Sequence, residues 1–146
     1  MPQLSTILQE NKRERERLLG LMAGLKEADF AKRLPNGWSV SVALAHLAFW
    51  DLSMAARLNN WLHKGVKPVW MDAEAVNGPL ARLSEALPPK VVIQLATEAA
   101  ETVDGIVEKL TQAQADELLK IGPDRFLRRA LHRQEHLDKI ETALKS

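Results

Sequence analysis

Apolar residues recur at three- and four-residue intervals along four stretches of the chain, the spacing that puts side chains on one face of an α-helix. Leu4, Ile7, Leu8, Leu18, Leu19, Leu21, Met22 and Leu25 predict a first helix over 4–25, with Ser5 as a candidate N-cap. Pro35, Asn36 and Gly37 mark a turn, after which Ser39 offers an N-cap oxygen to a second helix from about Val40 to about His63. A third helix starts near Pro88 and Pro89 and continues to Leu110, its seam formed by Ile93, Ala96, Ala100, Val103, Val107 and Leu110. Thr111 and Gln114 make the two halves of a capping box for a short turn, which Gly122 and Pro123 break. Asp124 is then the expected N-cap of a fourth helix carrying Phe126, Ala130, Leu137, Ile140 and Leu144 as its apolar stripe.

Between Lys64 and Leu87 no period is clear, and glycine and proline recur, so a long connection with at most a short helical turn is expected. Trp70, Asp72 and Asn77 within it are candidates either to close one end of a bundle or for ordinary loop packing, and packing is the preferred reading for Trp70. In the first helix, ENKRERER alternates opposite charges at spacings that allow Glu–Arg pairs, which predicts a solvated face rather than a basic arm for an anionic partner.

The 146 residues, 46% of them hydrophobic, suffice for one domain with a full core and are too few to expect two. The expectation is an all-α, four-helix bundle over 1–146. Twenty basic against nineteen acidic side chains leave a formal charge of +1, which gives no electrostatic footprint for nucleic acid or a membrane surface. No 18 apolar residues run together, and the first twenty residues have no apolar signal core, so a soluble cytoplasmic protein is expected. The absence of cysteine removes disulfides, thiolate metal sites and a protein-borne thiol nucleophile.

That absence turns attention to histidine. His132 and His136 are four residues apart in a run of strong helix formers, so both imidazoles can reach a common point on one helix face. His46 is the third candidate ligand, although a core histidine bonded to a neighbour has the same sequence appearance. On a helical wheel Trp50, Ser53, Arg57 and Asn60 lie within about 40° of His46, a mixed stripe that suits a pocket lining or partner surface. Glu135 lies about 60° or more around the helix from His136 and is not favoured as a base.

Two segments sharpen this reading. WSVSVALAHLAFWD in the first half and LHRQEHLDKIE near the end of a four-helix chain together resemble the DinB-like (YfiT-like) superfamily of metalloenzymes. That superfamily includes thiol-dependent transferases and the N-terminal domain type of mycothiol-dependent maleylpyruvate isomerase. The similarity is most specific in the tryptophan–serine pair that opens the second helix, in the His-Leu pair, and in the two histidines four apart followed by an aliphatic residue. The resemblance implies that His46, His132 and His136 are metal ligands, that His63 is a surface residue, and that the protein forms homodimers. Val42 departs from the family pattern, which often has an acidic residue there to complete the capping box.

Three neutral imidazoles would leave a divalent ion its full charge and an open position where water or a thiol loses its proton near neutral pH. Zinc, nickel, iron and manganese all accept such ligands. Without cysteine in the chain, thiol chemistry needs a low-molecular-weight thiol cosubstrate, and Trp50 and Arg57 would contact an apolar or anionic small-molecule substrate. The expected activity is metal-dependent transfer of a small thiol, or of water as in a hydrolase, to an electrophile. The rivals are a non-catalytic or stress-related module whose metal site is empty or structural, and a helical interaction protein without metal.

Overall fold

A computed structural model describes residues 3–69 and 71–146. Among the described residues there are six α-helices and no strand: α1 Leu4–Ala23, α2 Val40–Lys64, α3 Ala73–Ser84, α4 Pro89–Glu108, α5 Gln112–Ile121 and α6 Arg129–Leu144. Four of them make the expected bundle. Helix α1 packs on α4 and α6, and α2 packs on the same two, so α1 and α2 occupy opposite corners. No described helix is long and apolar enough to cross a membrane.

Local signals account for most of the boundaries. The Ser39 hydroxyl accepts from Val42 N at 3.1 Å and starts α2 without help from a second capping side chain. Gly65, at φ 67°, ends it in the left-handed conformation that glycine adopts without strain. Pro88 and Pro89 open α4, as expected. Helix α1 departs from expectation: it begins at Leu4 with Gln3 as its N-cap, and Ser5 lies inside it. The Leu4 N–H is satisfied from afar, by the Gln112 side-chain oxygen at 3.0 Å.

The two connections expected to lack long helices each contain one. Asp72 caps α3 by accepting from Ala75 N at 3.2 Å, and Pro79 sits inside the helix. The proline deprives the Ala75 carbonyl of its partner, but Ala75 is exposed and water can replace the lost bond. Trp70 lies outside the described residues. Thr111 and Gln114 do form a reciprocal capping box, at 3.1 and 2.9 Å, yet ten residues of α5 follow in place of a short turn. Gly122 and Pro123 end it. Asp124 caps nothing in α6; it opens a 3-10 turn over Asp124–Phe126, binds Arg128 at 3.0 Å, and α6 starts five residues later at Arg129.

The core has two apolar halves. One gathers Leu18, Leu44, Leu47, Ala96, Leu137 and Ile140 with their neighbours, and the other Ile7, Met54, Leu58, Val103, Val107 and Leu127. A buried polar layer separates them, to which all four bundle helices contribute: Asn11 from α1, Asp51 from α2, Asp104 from α4, and Arg129 and Arg133 from α6. Arg133 is 0% exposed. Its two Nη atoms donate to Asp104 at 2.9 Å each, and Nη2 also donates to Asp51 at 3.1 Å. Arg15 adds a third cation at 2.6 Å from Asp104. Asn11 donates to Leu127 O and accepts from Ala130 N, tying the start of α6 to α1. The charged stretch of α1 is therefore not a wholly solvated face, because Asn11 and Glu14 are buried in it and Arg15 and Arg17 reach across to other helices. Charges can be held inside only when paired and hydrogen-bonded, and these are.

Candidate metal centre

Helices α2 and α6 meet beside this layer, and there His46 and the pair His132 and His136 come together. One ligand nitrogen from each lies within 4.8 Å of the others. The ring centroids are 5.0 Å apart for His46 and His132, 4.5 Å for His46 and His136, and 4.7 Å for the α6 pair. His46 Nε2 and His132 Nε2 are 3.0 Å apart, close enough that they must share a proton or an ion.

Burial governs the charge state of all three. It holds the His46 imidazole far below its ordinary value, at about 3, with repulsion from His136 adding to the effect. Burial likewise pushes His132 down, helped by the adjacent Arg129 and the other two histidines, and it lowers His136 as well. Neutral imidazoles with free lone pairs are what a divalent ion requires, so the cluster can hold one. The buried Nδ1 of His46 has no hydrogen-bond partner among the described residues.

The cluster forms part of the wall of a cavity of about 550 Å³. Trp38 packs on His46 with centroids 5.0 Å apart, and Trp50 stands 6.4 Å from the same ring. Trp50 Nε1 donates to Asn77 Oδ1 of α3 at 2.8 Å. Arg57 lies 6.0 Å from the Trp50 ring. Trp50 and Arg57 thus line the cavity as expected from the α2 stripe, whereas Ser53 and Asn60 do not. His63 is exposed and apart from the site.

Sequence reasoning missed Arg125 and Arg129 in the cavity wall, and had set Glu135 aside as a base. Glu135 faces the cavity paired with Arg125 at 3.2 Å. Burial works against its charge, but the Arg125 bond and the nearby His136 hold its carboxyl below the ordinary range, which makes it a weak base. Arg129, one turn before His132, places Nη2 3.4 Å from His132 Nδ1 while its Nε donates to Asp51 at 2.8 Å. Its spacing of three from His132 was a usable signal, since residues three apart are neighbours on a helix. Asn77 was a candidate to close one end of the bundle, but the helix that carries it was not expected.

The profile of the DinB superfamily matches residues 10–137. The chain belongs to that superfamily. Among solved structures, a crystal structure of a histidine-to-alanine mutant of the mycothiol-dependent maleylpyruvate isomerase is similar at a TM-score of 0.75 with 13% identity. The alignment covers 95% of this chain and 61% of that one, so the chain spans about three-fifths of that protein's length. No curated protein sequence matches. In this chain the fold brings α2 and α6, and with them the three histidines, to one cavity.

Proposed function

We propose that this DinB-superfamily chain is a metal-dependent enzyme in which His46, His132 and His136 hold a divalent ion, and that it activates a small thiol for transfer to an electrophilic substrate. The observation that carries the reading is the convergence of the three neutral imidazoles on the wall of a cavity large enough for a small molecule. A closed structural site has no use for such a cavity. A bound divalent ion would supply Lewis acidity and make a coordinated thiol or water more acidic. Trp38 and Trp50 would shield the nucleophile from bulk water and present apolar surface to the substrate. With no cysteine in the chain, the thiol must come from solution. The likeness to a mycothiol-dependent enzyme supports a thiol over water as nucleophile, and a hydrolase using water is the alternative for the same site.

Elemental analysis of untagged protein, beside His46→Ala and His132→Ala, tests the ligand set. About one metal per chain, lost in both variants, is the expected result. Wild-type protein that holds no metal when zinc, nickel, iron or manganese is supplied would overturn the reading. Metal-loaded protein should then consume a low-molecular-weight thiol in the presence of an electrophile, whereas hydrolysis without thiol would favour the alternative.

A further inference from the structure

Three arginines line the cavity, and two of them have acidic partners. Arg125 pairs with Glu135 and Arg129 with Asp51. Arg57 forms no ion pair with a carboxylate among the described residues; burial pulls its pKa down, and the Arg129 cation lowers it further. One of its N–H groups meets the Met71 sulfur, a weak acceptor that does nothing for the charge. A partly buried guanidinium on a cavity wall with no carboxylate partner is free to take an anion that enters the cavity.

The surroundings of Arg57 indicate what that is. The indole N–H of Trp50 can only donate, so Asn77 must turn its Oδ1 toward Trp50, and its amide NH₂ remains available as a donor. Trp50 therefore organises two groups on the cavity wall, a guanidinium 6.0 Å from its ring and an oriented amide, and it offers its own apolar surface beside them. One guanidinium fork with one neutral amide matches a single carboxylate; a phosphate dianion would call for more positive charge.

Resting on the reading of this cavity as a substrate site, we infer that its ligand is a small organic carboxylate with a flat apolar body. The Arg57 guanidinium takes the carboxylate, and the Asn77 amide assists. Arg57 is then a specificity-determining residue that selects anionic over neutral electrophiles at the histidine cluster.

The test is calorimetric titration of the full chain with benzoate and with benzamide, its uncharged counterpart, in chelator-treated and zinc-supplemented protein. Arg57→Gln and Arg57→Lys are titrated alongside, with helical content and melting confirming that each is folded. Benzoate should bind metal-free wild type at least about tenfold more tightly than benzamide, lose at least about tenfold in Arg57→Gln, and recover in part in Arg57→Lys. Equal binding of the two probes, or benzoate binding unchanged in Arg57→Gln, overturns the inference. Benzoate that binds only with zinc and regardless of Arg57 also overturns it while leaving the metal proposal intact. Arg57-dependent binding in a protein that takes up no metal leaves the inference standing and removes the metal reading. Phenyl phosphate binding more than tenfold tighter than benzoate would overturn the carboxylate class.

Discussion

Arg129 stands against His132, its Nη2 3.4 Å from the ring's Nδ1. Because a guanidinium can only donate, the facing Nδ1 is the nitrogen that carries no proton, and in a neutral ring the proton then sits on Nε2, toward His46. Metal-binding histidines more commonly direct their outer N–H at a carboxylate or carbonyl. Here a cation occupies that place, and it would oppose both the tautomer that an ion at Nε2 requires and the positive charge of the ion proposed for this site.

Removing that cation should therefore strengthen metal binding. Arg129→Gln, whose amide oxygen can accept from Nδ1, is expected to raise zinc affinity by about tenfold. Competition with a chromogenic chelator measures this directly, and an unchanged or weakened affinity would refute the assigned tautomer.

The buried layer makes a second prediction. Arg133→Met strips Asp51 and Asp104 of the cation they share, and stability should fall by about 3–5 kcal/mol in urea unfolding. Asp51 keeps Arg129 and Asp104 keeps Arg15, so replacing both aspartates by leucine in the same chain should not recover that loss: it leaves the buried Arg129 without its carboxylate. A single variant as stable as wild type would mean that the layer contributes nothing.

Acid should destabilise the metal-free protein well above the carboxylate range. The folded-state pKa values of His46, His132 and His136 are lowered from an ordinary 6.5, to about 3 for His46. Below pH 6.5 the unfolded chain takes up protons that the folded chain refuses, so stability falls with falling pH, by up to about 1.4 kcal/mol per unit for each such histidine. Above that pH both states are neutral and the dependence disappears. Urea midpoints of chelator-treated protein should drop between pH 7 and 5, and less steeply in His46→Gln; a flat profile over that range would count against the buried neutral cluster.

Trp50→Phe keeps the aromatic ring but removes the donor to Asn77. The expected loss is about 1 kcal/mol, concentrated in α3 rather than in the bundle. Hydrogen exchange resolves the two: faster exchange in residues 73–84 with α2 and α4 unchanged is the expected pattern, and a uniform change across the bundle would contradict it.

The four long helices were legible because most of their apolar positions keep the three- and four-residue spacing, even across the charged stretch of α1 and the gap at Arg133 in α6. Helix α3 was not, because Gly78 and Pro79 look like an end, and an exposed carbonyl that tolerates the proline is a property of the fold, not of the local sequence. The capping box at Thr111 was legible, but how far α5 would continue was not. His132 and His136 announced themselves by spacing, whereas His46 was a third candidate that only the family resemblance joined to them, since a separation of 86 positions fixes no distance. Arg133 falls at the vacant place in the α6 stripe, between Ala130 and Leu137. An arginine there reads as a gap in the pattern until Asp51 and Asp104 are known to converge on it.

That arginine has a consequence for assembly as well as for stability. Apolar cores tolerate sliding, because one leucine substitutes well for another; a layer of opposite charges does not. A slide of α6 by one turn, about 5.4 Å, would break the pairing of Arg133 with Asp51 and Asp104 and carry its charge into hydrocarbon. The layer therefore acts as an axial index for the bundle. His132 and His136 flank Arg133 on the same helix, so the charge pairing also sets the height at which they meet His46.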